Sequence, residues 1–268
     1  MQLALIQGLT EEPKRKTVSK NVVLSERDLE VIEFIIDMKF ASVEDIFEKF
    51  FKVTLSSQEA KSDLWARKRL LQLEQGKFLN ANKVATEKIS YYTATFKAFY
   101  ALSNVHPEKA FVKPIGGFDM RTFVHDKLVL KCRLDLEKRF NVTSWISDRK
   151  LKSSAELSGG LSSIHIPDAI YTFPSGKRVA FELEIARKAK SRYVDKIRKY
   201  VQVMRSTEAA KKKFDVVHFV CTQDAVYDLL VKETKIYGGL FLIQTMNQFI
   251  AELSGTVAPQ VHKENKNV

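Results

Sequence analysis

The sequence predicts a mixed α/β protein in two parts, a small helical unit followed by a larger α/β unit. Three observations predict it. Apolar residues recur at helical spacing between residues 25 and 75, strand-like stretches alternate with helical patterns after residue 120, and a Pro- and Gly-punctuated segment separates the two. With 268 residues, 45% hydrophobic and 28% charged, the chain is too apolar to be disordered and long enough for two domains.

Charge narrows the partner. Lys and Arg number 44 against 32 Asp and Glu, a formal net charge of +12, which favours a polyanion: nucleic acid first, an anionic membrane second. There is no long apolar run, and the opening MQLALIQGLTEEPKRK has too short an apolar core and carries acids where a signal peptide has none, so a soluble, cytoplasmic chain with no membrane role is expected. Cys132 and Cys221 stand alone without a CxxC spacing, which supports buried thiols and neither a disulfide framework nor a structural zinc site. Neither GxGxxG nor GxxxxGK[ST] occurs, and Pro174-Ser175-Gly176-Lys177 lacks the second half of a phosphate loop, which disfavours nucleotide-driven chemistry.

Residues 1–20 read as a basic flexible tail that could touch phosphates. In the unit spanning 21–104, Ser25 and Asp28 have capping-box spacing ahead of Leu29, Ile32, Ile35 and Ile36, a first helix. Ser42 and Asp45 repeat the signal before Ile46, Phe47 and Phe50, a short second helix. A third is expected from about Gln58 to Gln75, with Ala66, Leu70 and Leu73 inside, Lys61, Lys68 and Gln72 outside, Trp65 at the margin, and Gly76 as a left-handed C-cap. The stretch FLNANKVATEKISYYTATFKAFYALS then reads as two strand-like pieces around a polar connector holding Lys83 and Lys88. Three helices and a basic hairpin are the order of a winged helix-turn-helix, with helix three in a major groove and Lys61, Lys68, Arg69, Lys83 and Lys88 as DNA contacts. The alternative is that the same helices pack a protein surface and the lysines are merely solvated.

Residues 105–120, with His106, Pro107, Pro114, Gly116 and Gly117, read as a linker, 121–253 as the second domain and 254–268 as a flexible tail. Val124, Leu128, Cys132, Leu136 and Phe140 mark a helix from about Arg121 to Phe140, followed by a strand at Ser144–Arg149 and a Ser- and Gly-rich loop near Ser158, Gly159 and Gly160. HIPDAIYTFPSGKRVAFELEIA reads as a hairpin turning at Pro174, Ser175 and Gly176. If Phe173 faces Lys177, Asp168 falls opposite Glu182, and Glu184 shares their face by alternation. Val179, Phe181, Leu183, Ile185, Ala169, Tyr171 and Phe173 then point the other way. A strand at Val216–Cys221, a helix at Asp224–Lys235, a strand at Leu240–Thr245 and a helix from Asn247 complete the chain, with parallel pairing expected.

Three neighbouring carboxylates repel one another unless cations neutralise them. Mg²⁺ or Mn²⁺ could bridge Asp168, Glu182 and Glu184 and activate a water against a phosphodiester, or the following helix could neutralise them with salt bridges. That helix carries Arg187, Lys188, Lys190, Arg192, Lys196, Arg198 and Lys199 against Asp195 alone, so Arg192, Lys196 and Lys199 are further candidate DNA contacts. Tyr193 and Tyr200 among them could stack on bases or simply cover the sheet. His125 could be a general base or a hydrogen-bonded structural residue, His165 lies on the wrong face for a ligand, and Glu137 is an outer carboxylate or a surface acid.

Pro167-Asp168, 13 residues, then Glu182-Leu183-Glu184 resembles the PD-(D/E)XK signature of restriction-endonuclease-like enzymes. Together with the three-helix unit, His125-Asp126, Trp145-Ile146-Ser147 and RYVDKIRKY at 192–200, it is similar to the plasmid replication-relaxation family, which includes conjugative relaxases of the MobC class, over nearly the whole chain between the tails. The resemblance implies a restriction-endonuclease-like second domain and metal-dependent nicking or relaxation of double-stranded DNA at a plasmid origin. Asp168 and Glu182 would be ligands, Glu184 stands where the signature has Lys, and Lys188 or Lys190 would supply that cation. The alternative is a fold that has lost cleavage and regulates replication, transfer or transcription by binding DNA. Other transfer or replication proteins and a second copy of the chain are its expected partners.

Overall fold

The computed structural model describes residues 22–53, 58–158, 161, 165–206 and 213–253. The expected tails at 1–20 and 254–268 lie outside them, as does most of the Ser- and Gly-rich loop. Helix α1 (Glu26–Met38) begins with the reciprocal capping box: Ser25 accepts the Asp28 N–H and the Asp28 carboxylate accepts the Ser25 N–H. After β1 (Ala41–Ser42), α2 (Val43–Ile46) is capped the same way by Ser42 and Asp45 and continues into a π-helical turn, Phe47–Phe51. α3 (Leu64–Gln75) starts later than expected, since Glu59 bridges back to Val53. The expected left-handed Gly76 has φ −74°, and Lys77 takes the positive φ of 61°. A Cβ on Gly76 would lie 3.0 Å from Val22 Cγ2, so glycine serves close approach there rather than handedness.

β2 (Leu79–Lys83) and β3 (Ser90–Ala94) form an antiparallel hairpin, and β1 joins β3, giving the order β1-β3-β2. The aromatic residues beyond Thr95 form a helix rather than a strand. α4 (Phe96–Val105) is started by Thr95, whose hydroxyl accepts the Ala98 N–H, and Ala98 and Leu102 give it an inward i, i+4 pair. α5 (Phe123–Phe140) buries Phe123 against Phe40 and Tyr91 and leaves Val124, the expected inward residue, 59% exposed. The expected linker is not a bare connection: Phe111 and Val112 pack on the main core, and Phe118 packs on Phe40.

The second sheet is built from β4 (Ser144–Ser147), β5 (Ala169–Thr172), β6 (Arg178–Glu184), β7 (Val216–Cys221) and β8 (Phe241–Thr245), in that spatial order. β4, β5 and β6 are antiparallel and β6, β7 and β8 parallel. Two short helices, α6 (Asp148–Ser153) and α7 (Ala155–Ser158), follow β4. α8 (Lys190–Met204) and α9 (Asp224–Thr234) are the crossovers, and α10 (Met246–Leu253) closes the described chain. The hairpin register is the expected one: Ala169 faces Phe181, Tyr171 faces Val179, the Phe173 N–H donates to Lys177 O at 2.9 Å, and Gly176 takes φ 82°.

Alternation assigns the two faces. Ala169, Tyr171, Val179, Phe181 and Leu183 pack with Val129 and Leu136 of α5 and with Phe249 of α10, in a cluster that continues to Leu29, Ile32 and Ile35 of α1. The N-terminal helices and the second sheet therefore share one core. On the other face, Ile170, Ala180, Val217 and Phe219 pack with Tyr193, Ile197 and Tyr200 of α8 and with Val226 and Leu230 of α9.

Candidate functional site

β6 turns Glu182 and Glu184 toward the face that α8 covers, so the expected carboxylate face is interior. The two residues are 3% and 1% exposed. Such burial is tolerable only if each charge is paired. The inward stripe of α8 is Tyr193, Ile197, Tyr200 and Met204, and Lys196 falls in it. Its Nζ lies 2.8 Å from Glu182 Oε2 and 2.6 Å from Glu184 Oε1. The remaining oxygens are engaged as well. His165 Nε2 is 2.7 Å from Glu182 Oε1, Tyr200 donates its hydroxyl to the same atom, and Lys188 donates to Glu184 Oε2 at 2.8 Å.

The electrostatics follow from this packing. Burial alone would raise Glu182, but the Lys196 charge and the bonds from His165 and Lys196 outweigh it and hold the carboxyl at about 2. Burial would lower Lys196, and the charges of Glu182 and Glu184 instead raise it. The Tyr200 phenol is pushed well up by burial and by the Glu182 charge, so it stays a neutral donor. The cluster holds two carboxylates and two ammonium groups, and it is balanced from within.

Asp168 does not join the other two acids. Its Oδ2 accepts the Leu183 N–H at 2.8 Å and lies 3.2 Å from His125 Nε2, on the side of α5. Burial and the Glu182 charge raise its carboxyl, against the pull of His125. Burial would lower His125, but bonds to Asp126 and Asp168 outweigh it and raise the imidazole to about 10, so it is a cation; Asp126 in turn pairs with Lys39 at 2.7 Å. Among the described residues, no three His, Cys, Asp or Glu side chains are grouped to hold a metal ion. All four Glu182 and Glu184 oxygens expected to ligate Mg²⁺ or Mn²⁺ are spent on Lys196, Lys188, His165 and Tyr200, and Asp168 is turned toward His125, so in this arrangement the three residues do not fit one divalent cation.

The other candidates divide between paired and exposed. Of the expected DNA contacts, Arg69 faces inward: Nε and Nη2 donate to the buried Asp28 at 2.9 and 2.6 Å, and Nη1 donates to Gln72. Lys196 is buried in the acid cluster, and Lys199 pairs with Asp195 on its own helix. Lys190 reaches Glu233 rather than the hairpin acids. Lys61, Lys68, Lys83, Lys88 and Arg192 are exposed. Glu137 pairs with Lys49 and Arg133, away from the hairpin. The thiols of Cys132 and Cys221 are buried and free, as expected. The alternative that the following helix neutralises the acids with salt bridges is the one seen, through Lys188 and Lys196, while His165 is not expected there. His165 lies in coil ahead of β5, where strand alternation does not apply. That Lys196 and not an outer lysine does so is readable from its place three residues after Tyr193 and four before Tyr200, on the apolar side of its helix, which also removes it from the DNA contacts.

A cleft of about 460 Å³ lies between α1, α5 and β4, lined by Glu33, Asp37, Lys49, Arg133, Trp145 and Lys150. Its charges are largely paired too: Lys150 meets Glu33 and Asp37 at 3.0 and 2.8 Å. Among the described residues no helix is long and apolar enough to cross a membrane.

Fold and site together define a mixed α/β protein with an internally neutralised acid hairpin and an exposed third helix. No family model, curated protein or solved structure matches the chain.

Proposed function

We propose that the chain is a double-stranded-DNA-binding protein of a plasmid or other mobile element that acts at an origin as a regulator of replication, transfer or transcription, holding DNA without cutting it. The order α1-β1-α2-α3-β2-β3 with the sheet order β1-β3-β2 is what a winged helix-turn-helix reading requires, and α3 leaves its outer face unpacked. The order α5-β4-α6-α7-β5-β6-α8-β7, with two short helices between β4 and β5, supports the restriction-endonuclease-like reading of the second part. The net charge of +12 suits a phosphate backbone.

One observation carries the choice of holding over cutting: the Lys196 ammonium lies between Glu182 and Glu184, within 2.8 Å of both. A divalent ion entering there would have to expel that ammonium from a site 13% exposed and leave it without its partners. Nicking by Mg²⁺ or Mn²⁺ is the competing reading, and one experiment separates them. Purified chain is mixed with supercoiled plasmid carrying a candidate origin, with either metal, and the products are run beside a retardation assay. Retarded but intact supercoiled DNA is the expected result. Affinity should fall with salt at a log–log slope of roughly −0.9 per phosphate contact. Metal-dependent nicked circles that vanish in Glu182→Gln would restore the cutter, and absence of retardation at low salt would overturn the DNA reading.

A further inference from the structure

The outward side of α3 is apolar for a surface helix. Leu64, Trp65 and Leu71 are 52%, 73% and 51% exposed, on the side opposite the buried Ala66, Leu70 and Leu73. Lys68, Gln72 and Gln75 share that side and are exposed with them. Lys68 Nζ rests 5.3 Å over the Trp65 ring. Large apolar side chains grouped in water mark a contact surface. Lys61, Lys68, Lys83 and Lys88 are exposed on this unit, which fits a polyanion.

Resting on the DNA-binding reading above, we infer that this face reads A·T base pairs in the major groove, with Leu64, Trp65 and Leu71 against thymine methyl groups and Gln75 on an adenine edge. Thymine alone among the bases presents a methyl group in the major groove, and a glutamine amide supplies both the donor for adenine N7 and the acceptor for N6. Gln72 is pre-aimed. Arg69 can only donate, so Gln72 Oε1 must face it, at 2.8 Å, and the amide NH₂ turns outward toward a purine N7 or thymine O4. The commonest specific contact to guanine is a basic side chain, arginine or lysine, on O6 and N7. Of the two arginines of α3, Arg69 is held inward by the buried Asp28, and Arg67 pairs with Asp63 one turn back on its own helix, each at 2.6 Å. We assign Lys68, a compact point charge carried over the Trp65 ring, to phosphate.

The test uses the full chain and a pool of random-sequence duplexes. Bound duplexes are selected and sequenced, and the enriched site is remade with deoxyuridine in place of thymidine, which removes the methyl groups and nothing else. An A·T-rich site is expected, with affinity falling about fourfold for each contacted methyl lost. Leu71→Ser should lower affinity for the thymidine duplex by a similar factor, lose sensitivity to uracil at one position and melt like the parent. A G·C-rich site, or equal binding of the uracil duplex, would overturn this inference while leaving DNA binding intact. Failure to bind any duplex at low salt would overturn both and assign the face to a protein contact.

Discussion

Replacing Lys196 by Ala leaves Glu182 and Glu184, 3% and 1% exposed, without the ammonium that bridges them. Two routes give the size of the effect. Truncating one member of a buried ion pair costs about 3–5 kcal/mol, because the remaining charge stays desolvated. Independently, Glu182 is held at about 2 against an ordinary 4.5, a difference equivalent to about 3 kcal/mol of stability at neutral pH, in which Lys196 has the largest favourable share. The pH dependence carries a definite sign. In the parent, the depressed Glu182 contributes fully above its unfolded value and loses that contribution as pH falls toward 2. In the variant, desolvation without the Lys196 cation raises the Glu182 carboxyl, so the penalty is present at neutral pH and relieved as it protonates. Equilibrium urea unfolding should therefore show a gap of about 3–5 kcal/mol at pH 7 that narrows at about pH 4. Lys196→Met retains an aliphatic stem but removes the ammonium that lies 5.9 Å over the Phe219 ring, and should lose nearly as much, separating charge from packing. A loss below about 1 kcal/mol at pH 7 in both variants, the level of an exposed pair, would refute the argument.

Three further outcomes follow from the same kind of contact. Arg69→Ala should cost about 3 kcal/mol in urea unfolding, since it strands Asp28 at 1% exposure, whereas Lys68→Ala should leave stability unchanged and flatten the salt dependence of duplex binding by about one contact; the reverse pattern would exchange their roles. His218, pushed down to about 4 by burial, sits neutral between Tyr171 and Gln244. The unfolded chain takes up a proton near 6.5 and the folded chain does not, so stability should fall by about 3 kcal/mol as pH drops from about 6.5 to 4. His218→Asn should flatten that slope, and an unchanged slope would exclude His218 as its source. At Gly176, φ is 82° and no atom lies within 4 Å of the place a Cβ would take, so Gly176→Ala should cost only the backbone penalty of about 1–2 kcal/mol, read as a lowered melting temperature; a neutral result would mean the turn relaxes.

Much of the local structure was legible in the residues themselves. Ser25 with Asp28 and Ser42 with Asp45 announced their helix starts, and both capping boxes form. The β5–β6 register could be read because two constraints agreed: Gly176 suits only one loop position, and strand alternation puts Tyr171, Val179 and Phe181 on one side. Where a single weak cue stood alone, the reading slipped. Aromatic and β-branched content suggested a strand-like piece running on to Ser103, but the Thr95 cap and the Ala98–Leu102 pair decide for helix over Phe96–Val105. The i, i+4 row on α5 likewise placed Val124 inside, when Phe123 takes that place.

The sequence by itself determined the mixed α/β class, most element positions and the face of β6 that bears Glu182 and Glu184, because periodicity and capping are properties of neighbouring residues. Only the tertiary structure decided what lies on that face. Lys196 arrives from a helix 14 residues further on, Arg69 meets Asp28 across 41, and Arg149 donates to the Ile36 carbonyl across 113. Which cation reaches a buried carboxylate depends on how helices dock on the sheet, and docking is set by the whole core rather than by any short stretch of chain.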